Sequence, residues 1–110
     1  MKRGEIWWVN FDSSIGSEIR KTRPAVIVSN DTSNQFSKRV QVVPATSNTD
    51  KLYPPECYVQ IKGKTSKIMA DQIMTVSKER LYDCMGKVTD DELAEIERVI
   101  FLQLGFVKRS

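Results

Sequence analysis

The chain opens with short runs of aromatic and β-branched residues separated by polar loops, a pattern that predicts many short strands. Glu5 to Phe11 is the first, with Ile6, Trp8 and Asn10 on one face and Trp7, Val9 and Phe11 on the other, core-facing side. A long polar loop, Asp12 to Thr22, follows; loops of that length within a small domain often carry function. Pro24, with no N–H to offer a ladder, suits the first residue of a strand. Ala25 to Val28 then reads as a strand buried on both faces, so Arg23 is held at its rim. Asn30 to Asn34 predicts a turn. Val40 to Thr46 is a further strand, which Pro44 assigns to an edge or a bulge. A second loop spans Ser47 to Asp50 and Tyr53 to Pro55. Cys57 to Lys62 alternates as a half-buried strand, Lys62 to Lys67 forms a basic hairpin turn, and Ile68 to Val76 reads as one strand. Lys78 to Arg80 connects to a last strand, Asp83 to Val88.

The period then changes. Thr89-Asp90-Asp91-Glu92 is a capping box with acids on the positive helix end. Leu93, Ile96, Ile100 and Leu104 recur at helical spacing, and Gly105 provides a left-handed stop. Val99, Phe101 and Leu102 widen the apolar stripe, as expected of a well-buried terminal helix, although a second contact would also use it. The pattern is mainly β with a C-terminal helix, one domain over residues 1–110.

Composition narrows the chemistry. There is no histidine, which closes off histidine acid–base pairs, the Ser-His-Asp arrangement and most zinc sites. No apolar run approaches the ~20 residues that cross a bilayer, and no signal core precedes the first strand. Cys57 and Cys84 form no ligand motif and read as reduced, semi-buried strand residues of a cytoplasmic protein. The net charge of +3 conceals a segregation: residues 1–67 carry a basic excess and residues 89–104 an acidic one. A basic surface of this kind can face a polyanion.

Glu18, Arg23, Thr46, Ser47 and Asp71 all fall at strand ends or on loops, where curvature can gather them. Arginine is the residue best suited to a phosphate, since its planar fork of donors never loses its charge. Each residue alone also has an ordinary reading, as an ion pair or a turn cap.

Five segments occur in an order that resembles the MazF/PemK (Kid) toxins: Gly4-Glu5-Ile6-Trp7, Gly16-Ser17-Glu18, Arg23-Pro24-Ala25-Val26-Ile27-Val28, Val43-Pro44-Ala45-Thr46-Ser47 and Ala70-Asp71-Gln72-Ile73, followed by the closing helix. These toxins are the endoribonuclease halves of type II toxin–antitoxin pairs. The resemblance implies a small SH3-like barrel of the CcdB/MazF type, a homodimer, and cofactor-free, metal-independent cleavage of single-stranded RNA, messenger above all. In that chemistry the 2′-OH attacks phosphorus, leaving a 2′,3′-cyclic phosphate and a 5′-OH. Arg23 and Thr46 match the family's catalytic arginine and threonine, while Glu18 and Asp71 become candidates for base or for positioning the 2′-OH.

The RNA-binding candidates are Ser47, Lys21, Lys51, Tyr53, Lys64 and Gln72, with Lys62 and Lys67 as further phosphate contacts. Tyr53 offers a stacking face for a base. The implied partner is a cognate antitoxin whose acidic, partly disordered tail lies across the dimer's basic groove. Two departures are visible. Ile19 follows Glu18 where the usual loop has Gln, and Met69 stands where Kid-type members carry a second arginine, leaving Arg23 as the main cation. Two other readings fit the same fold: a CcdB-like toxin that binds and inhibits DNA gyrase, and a barrel that holds RNA without cutting it.

Overall fold

The computed structural model describes residues 1–11 and 22–106. Seven antiparallel strands form one curled sheet: β1 (Glu5–Asn10), β2 (Thr22–Ile27), β3 (Arg39–Thr46), β4 (Glu56–Ile61), β5 (Lys64–Met69), β6 (Met74–Ser77) and β7 (Leu81–Lys87). Their spatial order is β4-β5-β3-β2-β1-β7, with β6 also paired to β3. Among the described residues the α-helices are the short α1 (Asp31–Phe36) and the terminal α2 (Asp90–Gln103).

Both faces of the sheet are buried, for a reason readable in the strands. On one face Ile6, Val26, Val43, Ala45, Val59 and Ile68 pack beneath Ile96 and Val99 of α2. On the other, Val9, Ala25, Ile27, Val40, Val42 and Val76 meet across the hollow of the curl. Strands so enclosed carry unbroken apolar runs, as Ala25 to Ile27 does. The first strand serves both cores: Ile6 belongs to the helix side and Val9 to the hollow, where only Trp7, Val9 and Phe11 were expected to be core-facing.

The curl has a visible cause. One edge of β3 pairs through Arg39 to Val42 with β6 and then, at Ala45 and Thr46, with β5. Val43 and Pro44 lie between these partners while β2 covers the other edge. Of the two places expected for Pro44, an edge or a bulge, it is not at the sheet's edge but in a central strand, at the interruption where one neighbour gives way to the next. The expected strand over residues 68–76 is split there by a one-turn 3-10 helix, Ala70–Gln72, whose Ala70 is sunk in the helix-side core. That turn carries the chain from β5 across to β6.

The turn expected at Asn30 to Asn34 is instead the start of α1. Asn30 caps it by accepting the Ser33 N–H at 2.9 Å, and the buried Asn34 amide donates to the Ser29 carbonyl at 2.9 Å. Two side chains bonded to backbone groups around the helix start stabilise one helical turn that propensity alone would not hold. The basic hairpin is present: Lys62 and Gly63 both adopt positive φ, 50° and 78°, the requirement of a two-residue primed turn.

α2 is built as its sequence reads. Thr89 Oγ1 accepts the Glu92 N–H at 3.1 Å, and Glu92 Oε1 accepts the Thr89 N–H at 2.8 Å. At the far end Gly105 takes φ 73° and the Phe106 N–H returns to the Phe101 carbonyl, closing the left-handed stop. Its stripe is less covered than expected: Phe101, Leu102, Leu104 and Phe106 are exposed. The cysteines differ too. Cys57 is buried, whereas Cys84 is exposed rather than semi-buried, because its segment of β7 lies outside the covered part of the sheet.

Burial pushes the Cys57 thiol up from 9.0 to about 11, with nearby Glu95 adding to the effect. Between those values the unfolded thiol ionises and the folded one does not, so stability should fall as pH rises through that window. A thiol reagent at neutral pH should label Cys84 within seconds and Cys57 only on unfolding; rapid labelling of both would contradict this packing. Ile96→Ala, at a fully buried side chain, should cost about 2–5 kcal/mol in urea unfolding.

Candidate active site

Arg23 is the second residue of β2, opposite Val9 of β1. Pleating puts it on the face of Ala25 and Ile27, at the open end of the hollow. The β2–β3 ladder pairs Ala25 with Pro44, Val26 with Val43 and Ile27 with Val42. Carrying that register two residues further sets Arg23 level with Thr46, the last residue of β3, on the same face. The guanidinium is half-buried, and among the described residues it has no hydrogen-bond or ion-pair partner. Arg3, Arg80 and Arg98 are all engaged, with Glu97, the Asn10 carbonyl and Glu95 respectively. An unpartnered cation against a rigid strand invites an anion from outside.

The half-buried Thr46 is held by its own loop: its Oγ1 accepts the Asn48 N–H at 3.2 Å. Accepting that bond leaves the hydroxyl proton free to be given to something else. Ser47 beside it is exposed.

The 3-10 turn supplies the third side. Gln72 joins Phe11, Arg23, Pro44 and Met74 around a small cavity of about 160 Å³. A neighbouring cavity of about 190 Å³ shares Phe11 and Met74 and runs on to Asn10 and Arg80. Together they make a furrow along the mouth of the hollow, apolar in its floor with a guanidinium toward each end. Asp71, the middle residue of the turn, is exposed and has no partner among the described residues. A larger, mostly apolar cavity of about 650 Å³ lies against α2, where Arg3 and Glu97 are already paired.

The structure therefore brings Arg23 and Gln72 around one cavity, with Thr46 on the same face of the sheet by register and Ser47 and Asp71 adjacent in the chain. Lys51 and Tyr53 are exposed on the loop that follows Thr46. Lys64 is placed elsewhere: it pairs with Ile61 and alternates with Ile68, on the face that α2 covers. Lys67, taken as a phosphate contact, is buried against Glu56 at 3.2 Å. Glu18 and Lys21 lie outside the described residues. Phe11, Pro44 and Met74 were not singled out as site residues. Their signal was parity, since each falls on the Arg23 face once the strands are registered.

Comparison with known proteins places the fold in a family. The family model described as the PemK-like, MazF-like toxin of type II toxin-antitoxin systems matches residues 2–104. The chain belongs to this family. Among PemK/MazF relatives it is 40% identical to Endoribonuclease MazF9 of Mycobacterium tuberculosis, over 94% of this chain and 96% of that protein. Its fold superposes on MazF of Deinococcus radiodurans with a TM-score of 0.81 at 26% identity, covering 96% and 97% of the two chains. A mycobacterial endoribonuclease solved in complex with its cognate antitoxin matches at a TM-score of 0.83 and 24% identity, with 99% of both chains covered. The curled sheet and terminal helix are thus those of MazF toxins.

Proposed function

We propose that the Arg23–Thr46 rim is where this toxin cleaves single-stranded RNA, with the scissile phosphodiester lying between guanidinium and hydroxyl. The protein is a MazF-family toxin endoribonuclease. The observation that supports the assignment of its site is Arg23, without a partner among the described residues and on the same face as Thr46 by register.

The reaction is a transphosphorylation. The ribose 2′-oxygen attacks the adjacent phosphorus, its proton passes to a base, and the bond to the 5′-oxygen breaks as that oxygen takes a proton from water. The products are a 2′,3′-cyclic phosphate and a 5′-OH. Charge builds on the non-bridging oxygens as the phosphorane forms. A guanidinium fixed at a strand end meets it with two donors and pays little reorganisation at that moment. Thr46, its oxygen already bonded to the Asn48 N–H, turns its proton toward the same phosphate. Arg23 acts electrostatically, since an arginine gives up a proton only with difficulty. Asp71 and Glu18 are the carboxylates for the 2′-OH proton. Ser47 and Gln72 border the phosphate, and Lys21, Lys51 and Tyr53 meet the flanking nucleotides. Lys64 faces α2 and drops out of this role.

A gyrase-binding toxin or a non-cutting RNA binder fits less well with membership beside an endoribonuclease at 40% identity. The partners in this reading are messenger RNA, a cognate antitoxin with an acidic disordered segment, and a second copy of the chain, all in the cytoplasm. Among the described residues no helix is long and apolar enough to cross a membrane. The exposed Phe101, Leu102 and Phe106 give the second copy an apolar surface.

Arg23→Ala should lower cleavage of a long single-stranded RNA in EDTA by at least about 10³-fold, with the unfolding midpoint unchanged. Retained activity would remove Arg23 from the mechanism. Thr46→Ala should slow the reaction by about 10²-fold, or 2–3 kcal/mol, with little change in RNA binding. A binding loss as large as the rate loss would make Thr46 a substrate-binding group instead.

A further inference from the structure

The cation directly across the β3–β5 ladder from Thr46 is Lys67, and it is used inwardly. Its side chain and that of Glu56 are each only 9% exposed, and they pair at 3.2 Å. Lys67 Nζ donates to the Lys51 carbonyl at 2.8 Å and lies 5.7 Å from the centre of the Tyr53 ring. The same Glu56 Oε1 accepts the Tyr53 N–H at 2.7 Å. Tyr58, opposite Lys67 in the β4–β5 ladder, donates its hydroxyl to the Thr49 carbonyl at 3.2 Å. The loop after Thr46 is therefore gripped at three backbone points, two of them by one buried ion pair.

Stability alone is a poor reason for such a pair. Desolvating two charges costs about as much as their attraction returns, and well-packed apolar residues of the same volume often do as well. What an apolar pair lacks is a directed bond to a particular carbonyl and a particular N–H. The pair holds Tyr53 with a cation against its ring, yet that residue remains 55% exposed. A ring so held is a platform supported from beneath, and it is tied to Thr46 through Lys67, which pairs with Thr46 across the β3–β5 ladder.

We propose that the Lys67–Glu56 pair is a positioning device for substrate selection. It fixes the Tyr53 ring as a stacking surface for one unpaired base of the RNA whose phosphate lies at Arg23 and Thr46. Lys67 and Glu56 are positioning residues, and Tyr53 is the contact. The proposal rests on the ribonuclease reading and adds to it the residues that set which sites are cut.

The test uses the full chain in two variants, the double replacement Glu56→Leu with Lys67→Met, and Tyr53→Ala. Each is assayed by sequencing the 5′ ends of products from one long single-stranded RNA, by kcat and KM on an oligonucleotide bearing the preferred site, and by urea unfolding. Both variants should raise KM by about tenfold or more, the effect of one lost base stack, while kcat changes by less than about threefold. Both should broaden the set of cleaved sites, and combining them should add nothing further. Unchanged site preference in Tyr53→Ala overturns the proposal even if the double variant fails to fold. A double variant that folds and cuts the same sites with the same KM overturns it as well. Wild-type protein that leaves the RNA whole would instead overturn the ribonuclease reading, a result distinct from full cutting with an unaltered site spectrum.

Discussion

Much of this molecule follows from one edge of β3 that cannot keep a single partner. It pairs with β6 as far as Val42 and with β5 from Ala45. Pro44, lacking an N–H, sits at the interruption, where a missing donor does least harm to a ladder. A sheet whose central strand changes neighbours bends there, and the bend closes the hollow that Val9, Ile27, Val42 and Val76 fill. The same interruption makes room for the 3-10 turn, which delivers Gln72 to the mouth of that hollow. Without the switch, residues 68–76 would continue as one strand and Gln72 would have no place beside Arg23.

That dependence explains which features were legible in the chain. α2 was readable because its signals are local: a capping box, an apolar period and a terminal glycine between Thr89 and Gly105. The Arg23 strand was readable from Ala25 on, because a proline followed by an apolar run has few other meanings, but β2 begins at Thr22 and Pro24 is its third residue, not its first. Family motifs named Arg23 and Thr46 in advance, and the register puts both on one face of the sheet, Arg23 second in β2 and Thr46 last in β3. The break at Ala70 was not readable, because Ile68-Met69-Ala70 and Ile73-Met74 are as apolar as any strand. What breaks the strand is the loss of its partner, a tertiary event. α1 was missed for a related reason. Its residues are turn formers, and what makes them helical is Asn30 and the buried Asn34 bonding to the local backbone.

The basic side chains show why counting charge does not locate a binding surface. Lys67 and Lys64 are three residues apart on β5, yet one is buried under Tyr53 and the other stands on the helix side. Strand parity and burial separate them. Arg3 is spent holding the N-terminal segment, through Glu97 and the Val28 carbonyl. Arg23 differs from these in lacking any such employment among the described residues.

The acidic excess of the closing helix is likewise allocated by geometry. Glu92 closes the capping box and also accepts the Gln60 N–H at 2.6 Å, tying α2 to β4. Glu95 pairs with Arg98, and Glu97 with Arg3. These carboxylates belong to the helix side of the sheet, and the Arg23 rim opens on the other. A low-dielectric core lies between them, and salt screens what passes around the outside within about a Debye length. These three carboxylates are therefore occupied on the helix side of the sheet, away from the Arg23 rim, without weakening the helix that closes that face.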